Sequence, residues 1–153
     1  MAAVTRLVEG PLSAPAELEA FRHGRSGDGA VVSFTGLARG TSRAGEPVTR
    51  LQLDWYPGMT ERSLQVIAEA GTARFAVSDL LVVHRCGEVL PGETIVFVAA
   101  AAPHRRQAFL AADHVMDRLK TEAAFWKWEQ GPAGGHWIEP ADGDHADNAR
   151  WSD

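Results

Sequence analysis

Two long apolar segments separated by a short turn constrain the fold more than any other feature of the chain. They are "VSDLLVVHR" at residues 77–85 and "ETIVFVAAA" at residues 93–101, and each has the length and composition of a buried strand. Their connection, "CGEVLPG", contains the turn pair Pro91-Gly92. A connection this short favours an antiparallel hairpin, because parallel neighbours need a much longer crossover.

The other segments add strands and helices without a regular β-α-β alternation. Strands are predicted for "VTRLVEG", "AVVSFTG" at residues 30–36, "VTRLQLDW" and "HWIE". Helices are predicted for "PLSAPAELEAFRH", with Ser13 or Pro15 near its start, and for the segment after "YPG", which Thr60 would cap. The sequence therefore predicts an α+β fold, with helices packed against a mainly antiparallel sheet.

The segment "PHRRQAFLAADHVMDRLK" is the strongest helix signal in the chain. Phe109, Ala112, Met116 and Leu119 fall on one face at helical spacing, with Val115 beside them, and we expect this face to be buried. The last residues, "PADGDHADNARWSD", are polar and acidic and predict a loosely held tail.

Composition limits the classes of function. The chain has 153 residues, 45% of them hydrophobic and 23% charged, as in one ordinary globular domain. A net charge of -5 weighs against a surface for nucleic acid or anionic membranes. The single cysteine excludes an internal disulfide. Neither a basic leader nor a membrane-length apolar run is present, so the cytoplasm is the expected compartment.

Basic residues cluster where the strongest helix begins. His104, Arg105 and Arg106 follow Pro103 and fall in the first helical turn, where cations oppose the helix dipole. Free N–H groups and basic side chains together could bind a phosphate or a carboxylate, whereas a solvated helix start would also tolerate these residues. The residues alone support an anion site and a solvated helix start equally.

Two lysines flank an aromatic segment further along, in "LKTEAAFWKWEQ". Burial against the aromatic rings would lower the pKa of Lys120 or Lys127 and make it reactive, although either could instead extend its ammonium group into water. With Arg39 from the loop after strand 30–36, and with His104 and Arg105, these lysines would form a pocket for an anionic substrate. No metal site is predicted, because no histidine has ligand spacing.

Other reactive residue types are expected to be structural. Cys86 lies at a strand end and is interpreted as a buried thiol, on the same side of the strand as His84. Glu88 and Glu93 flank the hairpin turn and are expected to face water. The sequence has no GxGxxG, P-loop or GxSxG motif, which weighs against nucleotide binding and serine hydrolysis by those devices.

Four segments together resemble the large, catalytic subunit of molybdopterin synthase. They are "GAVVSFTGLARG", "WYPGM", "HRCGEVLPGETIVFVAAAAPHRRQAF" and "DRLKTEAAFWKWE", and the resemblance runs from about residue 4 to about 139. It implies an α/β-hammerhead fold with a small additional β subdomain, a large-subunit-like domain over residues 1–139 and a flexible tail over 140–153. The implied reaction transfers sulfur to cyclic pyranopterin monophosphate to form the molybdopterin dithiolene. No cofactor is implied.

The resemblance also implies partners and residue roles. The sulfur donor would be the C-terminal Gly-Gly thiocarboxylate of a small ubiquitin-like carrier subunit, and the large subunits would form a central dimer. Lys120 and Lys127 match the catalytic lysines of the family. The substrate-binding positions that the resemblance implies are Leu37, Ala38, Arg39, His104, Arg105, Trp128 and Glu129. Leu37 stands where the family often has lysine.

Two alternatives are weighed against this interpretation. One is a non-catalytic scaffold or anion-binding module that keeps the same fold, against which the five retained basic residues argue. The other is an enzyme that uses Cys86 as its own sulfur carrier. A proline commonly precedes the "FWK" segment in the family, whereas Ala123-Ala124 stand here, so the sequence leaves the end of the long helix open between residues 121 and 124.

Overall fold

The computed structural model describes residues 2–152 and consists of two four-stranded sheets with four helices. Met1 and Asp153, the outer ends of the predicted domain and tail, lie outside the described residues. The elements in chain order are β1 Ala2–Val8, α1 Ala14–Arg22, β2 Ala30–Leu37, β3 Arg50–Trp55, α2 Met59–Arg74, β4 Asp79–Arg85, β5 Gly87–Val89, β6 Thr94–Ala102, α3 Arg105–Glu122, β7 Phe125–Gly131, β8 Gly134–Ile138 and α4 Asp142–Ala149.

The first sheet has the strand order β1-β4-β6-β2 and forms the centre of the molecule. β4 and β6 pair antiparallel, with Val82 opposite Val98, which confirms the predicted hairpin. Of the sheet's three pairings only β1 with β4 is parallel. Alternate side chains point to opposite faces, so Leu80 and Val82 pack with α2 and α3 while Leu81 packs with α1.

The second sheet has the order β5-β3-β7-β8, and all its pairings are antiparallel. β5 lies within the connection between β4 and β6, so the hairpin turn itself supplies a strand to this sheet. Leu53 and Val89 are completely buried beneath it. The α+β class with an additional small β subdomain is confirmed.

Two predictions within helices are wrong. Phe109 is 59% exposed, although Ala112, Val115 and Leu119 of the predicted face are buried as expected; Ala108 and Ala111 complete the buried face of α3. Thr60 does not cap α2, which begins one residue before it after Gly58. The Glu61 carboxylate accepts from Gly58 N at 3.2 Å and satisfies the helix start instead.

The buried side chain of Thr60, in α2, helps to determine the residue at which α3 ends. Its hydroxyl donates to the carbonyl of Ala124 at 2.7 Å, and Ala124 N donates to the Ser63 hydroxyl at 3.1 Å. These side chains of α2 take the backbone groups that another helical turn would use. The helix therefore ends at Glu122, and β7 begins at Phe125.

The C-terminal residues form a packed helix where the sequence predicted a loosely held tail. Trp151 Nε1 donates to Asp117 at 2.6 Å, and its ring meets His114 edge-on with centroids 5.2 Å apart. Arg150 pairs with both Asp113 and Asp117 on α3. Because these contacts lie beyond the end of α4, the whole segment is tied to α3. None of the helices within residues 2–152 is long and apolar enough to cross a membrane.

Candidate active site

A cavity of about 460 Å³ lies where the C-terminal end of α3 meets β7, the loop after β2 and the segment before α4. Lys120 and Lys127, the only lysines of the chain, both line it. Its other charged lining residues are Arg39, Arg43, Glu129, Glu139 and Asp144. Four cations and three carboxylates share this space, so the cavity suits a ligand that carries negative charge and exchanges protons.

The alternation of β7 decides which aromatic residues reach the cavity. Phe125, Lys127 and Glu129 lie on the face that lines it. Trp128 lies on the other face, where its ring meets Trp137 edge-on at 5.0 Å. The expectation that Trp128 and Glu129 both line the pocket is therefore wrong for Trp128, because adjacent strand residues point to opposite sides.

Lys127 is the strongly perturbed cation of the site. Burial, together with the charges of Lys120 and Arg43, lowers the pKa of Lys127 to about 8, while the charge of Asp144 opposes this shift. Near neutral pH such an ammonium group is a ready proton donor, and its neutral form is accessible. Lys120 reaches the same cavity from the last turn of α3, where its side chain is exposed.

His84 lies behind the cavity wall, and no role in the site was predicted for it. Its ring stacks on Phe125 with centroids 4.2 Å apart. Burial, together with the two lysine charges, lowers the pKa of His84 to about 3, against the opposing effect of its hydrogen bond to the backbone of Arg85. Nδ1 lies 2.7 Å from the carbonyl oxygen of Arg85, so the neutral ring donates there. Because this ring is neutral, it adds no further positive charge beside the lysines.

The loop after β2 is tied to the hairpin turn. Ala38 N donates to the carbonyl of Glu93 at 2.9 Å, and Gly92 N donates to the carbonyl of Ala38 at 2.8 Å. This pairing places Leu37, Ala38 and Arg39 at the cavity. Leu37 is 58% exposed.

Glu93 was expected to face water at the hairpin turn, but its side chain makes two specific contacts. Its carboxylate accepts from Leu90 N at 2.7 Å and pairs with the buried Arg85 at 3.3 Å. The backbone bond, followed by the charge of Arg85, lowers the pKa of Glu93. Glu88 is exposed as expected and pairs with Arg50. Glu93 thus orders the turn on which Ala38 rests.

His104 and Arg105 do not reach this cavity within one chain. They lie at the N-terminal end of α3, and Lys120 lies at its C-terminal end. At a rise of 1.5 Å per residue the helix separates Arg105 from Lys120 by about 22 Å, beyond the reach of any side chain. The expectation of one pocket holding all five basic residues is therefore wrong for a single chain. The structure brings together Arg39 and both lysines, and adds Arg43.

Comparison with known proteins agrees with this architecture. A family model described as "MoaE protein" matches residues 7–122. The molybdopterin synthase catalytic subunit of Caulobacter vibrioides is 46% identical over 148 residues, covering 97% of this chain and 97% of that protein.

Solved structures are also similar. A molybdopterin biosynthesis MoaE protein from Burkholderia ambifaria superposes with a TM-score of 0.81 at 38% identity, covering 100% of this chain and 99% of that one. Molybdopterin synthase from Staphylococcus aureus superposes with a TM-score of 0.77 at 27% identity, covering 87% and 95%. The chain, with its two-lysine cavity, belongs to the MoaE protein family.

Proposed function

We propose that this chain is the catalytic subunit of a molybdopterin synthase. It transfers sulfur from the C-terminal thiocarboxylate of a small ubiquitin-like carrier to cyclic pyranopterin monophosphate, which yields the molybdopterin dithiolene. The observation that carries the proposal is the meeting of the chain's two lysines, one with its pKa lowered to about 8, in one cavity that Arg39 also lines.

The charges of the cavity fit the substrate. A cyclic phosphate needs fixed positive charge, and Arg39 and Arg43 line the cavity beside the lysines. Among the charged lining residues the cations outnumber the carboxylates four to three, although the whole chain carries a net charge of -5. The positive charge is thus local, as a site for one small anion requires.

The two lysines divide the chemistry in this proposal. Attack of the thiocarboxylate sulfur on the pterin side chain requires proton transfer and stabilisation of negative charge. Lys127, with its lowered pKa, binds substrate and donates or accepts the proton. Lys120 is more exposed and lies nearest the carrier's C-terminus, where it stabilises charge during acyl transfer.

His104 and Arg105 enter the proposal through a second copy of the chain. They lie about 22 Å along α3 from Lys120, so they cannot act on the substrate bound to their own chain. Both are exposed and open to contact. A dimer that brings the start of one α3 to the cavity of its neighbour would complete the phosphate site.

A single-turnover assay tests the reaction. The purified protein is mixed with cyclic pyranopterin monophosphate and a thiocarboxylated carrier ending in Gly-Gly, after binding of the carrier has been verified. We expect dithiolene product, a loss of at least about 100-fold in rate for Lys120→Ala, and near-normal rate for Arg118→Ala. Arg118 is a matched control, because it is a cation of α3 that pairs with Glu122. No product despite tight carrier binding would indicate the non-catalytic scaffold.

Mixed dimers test the second copy. Lys120→Ala and Arg105→Ala are each expected to be impaired as pure dimers. When the two variants are mixed, a dimer with one chain of each kind has one site without either substitution, so activity recovers. If each site used residues of one chain only, mixing would recover nothing.

A further inference from the structure

We propose that Asp144, at the start of α4, is a positioning residue for Lys127, because its carboxylate is the counter-charge that the C-terminal segment brings to the lysine cavity. This role rests on the proposed function for its consequence in turnover. The contact itself can be measured without any activity.

The local fold aims Asp144 at the cavity. Its Oδ2 accepts from Ala141 N at 3.0 Å, which closes the first turn of α4 and fixes the side chain. Ala141 and Asp144 both line the cavity, together with Ile138, Glu139 and Pro140 before them. The polar end of the chain therefore forms one wall of the site.

Contacts at both ends hold this wall in place. C-terminal to Asp144, Trp151 donates to Asp117 and Asn148 Nδ2 lies 3.3 Å from Glu122, so α4 is tied to the helix that carries Lys120. N-terminal to Asp144, Arg43 donates to the carbonyl of Glu139 at 2.5 Å. The segment that carries Asp144 thus spans the cavity between two fixed points.

Groups from every neighbouring element face Lys127. Lys120 comes from α3, Arg39 and Arg43 come from the loop after β2, and His84 comes from β4 and is neutral. These groups supply no negative charge. The carboxylates must therefore balance the lysine.

Of the three carboxylates, Asp144 is the one available for this role. Glu129 lies on β7 itself, and its Oε1 is 3.4 Å from His136 Nε2 at the sheet edge. Glu139 is exposed and is held through its carbonyl group. Asp144 is half-buried, and its charge raises the pKa of Lys127 against the effects of burial, Lys120 and Arg43.

The small number of lysines makes the contact directly measurable. Protein prepared with lysine carrying ¹³C at the ε carbon gives two side-chain signals, because the chain has only Lys120 and Lys127. Lys120→Arg assigns them. In Asp144→Asn, which keeps an acceptor for Ala141 N, we expect the pKa of Lys127 to fall by at least about half a unit. Asp147→Asn, an exposed change on the same helix, should leave it unchanged.

A second substitution is expected to shift the pKa of Lys127 in the opposite direction. Arg43→Gln removes a cation from the same cavity and is expected to raise the pKa of Lys127. The proposal is overturned if Asp144→Asn leaves the Lys127 titration unchanged, or if Asp147→Asn shifts it equally. If Asp144→Asn does not fold, Asp144→Ser takes its place, and an unchanged Lys127 titration in that variant overturns the proposal.

The pH–rate profile of the single-turnover reaction then tests the role of Asp144 separately from the proposed synthase activity. We expect the alkaline limb in Asp144→Asn to move to lower pH by the same shift, and Asp144→Glu to restore it. A shifted Lys127 titration in a protein without synthase activity would overturn the function and leave the charge contact. Normal synthase activity with an unshifted titration would overturn the role of Asp144 alone.

Discussion

The imidazole ring of His84 stacks on the ring of Phe125 with centroids 4.2 Å apart, and this pair joins the central sheet to the strand that carries Lys127. His84 projects from β4 on the face that packs with α2 and α3, because it shares the alternation of Leu80 and Val82. The contact thus makes the apolar core continuous with the floor of the lysine cavity.

This contact predicts sensitivity to acid. The pKa of His84 is lowered from 6.5 to about 3, so the unfolded chain binds more protons between these values and stability falls as pH decreases through them. The full effect is on the order of 5 kcal/mol. In His84→Phe, urea unfolding should show a smaller loss of stability between pH 6.5 and 4.5 than the wild type shows.

His145→Gln, an exposed change on α4, serves as the control and should keep the wild-type dependence. His114 is buried and its pKa is also lowered, so part of the acid sensitivity will persist in His84→Phe. An unaltered pH dependence in His84→Phe would mean that the ring is not held neutral.

The half-buried ammonium group of Lys127 should lower the free energy of unfolding at neutral pH. Its pKa is lowered from 10.5 to about 8, so the unfolded chain binds more protons between these values and stability rises with pH across them. At pH 7 the half-buried ammonium group is destabilising. Lys127→Met should therefore raise the free energy of unfolding at pH 7 by about 1 kcal/mol, measured in urea, while turnover is lost.

Lys120→Met is the matched control, because Lys120 is exposed and should gain no comparable stability. A Lys127→Met protein less stable than the wild type at pH 7 would show that the ammonium group is better paired than we infer.

Cys86 should be dispensable and slow to react. Its side chain is 1% exposed, and burial raises the pKa of the thiol to about 11. At pH 8 a disulfide reagent such as dithiobis(nitrobenzoate) should label it at least about 100-fold more slowly in the native protein than in urea. Cys86→Ser should keep its turnover with the thiocarboxylated carrier. Loss of turnover in a folded Cys86→Ser protein would favour Cys86 as the sulfur carrier.

Gly131 marks a close approach that supports the loop of the site. A Cβ atom there would lie 2.1 Å from the carbonyl oxygen of Pro47, at the end of the loop that carries Arg39 and Arg43. Gly131→Ala should lower the free energy of unfolding by about 2 kcal/mol and weaken substrate binding. Gly143→Ala has open space around its new methyl group and lies in α4, so it should be neutral or stabilising. Thermal unfolding and substrate titration of both variants check this pair.

The local sequence pattern predicted the structure correctly wherever the periodicity of a single segment determines it. The two apolar segments predicted β4 and β6 as an antiparallel pair, and Ser13 caps α1 by accepting from Ala16 N. The alternation of a strand also separates Trp128 from Glu129, although the resemblance had grouped them. These features depend on neighbours in the chain, so the sequence determined them.

Tertiary contact decided what no single segment contains. α3 ends at Glu122 because Thr60 and Ser63 of α2 bind the backbone of Ala124, and only this end allows β7 to bring Lys127 beside Lys120. The acidic end of the chain becomes α4 because Asp113 and Asp117 of α3 bind Arg150. The sequence by itself determined which residues could perform the chemistry, whereas the packing of helices on the two sheets decided which of them share a cavity. The reason is physical: burial and charge at Lys127 come from residues distant in the chain.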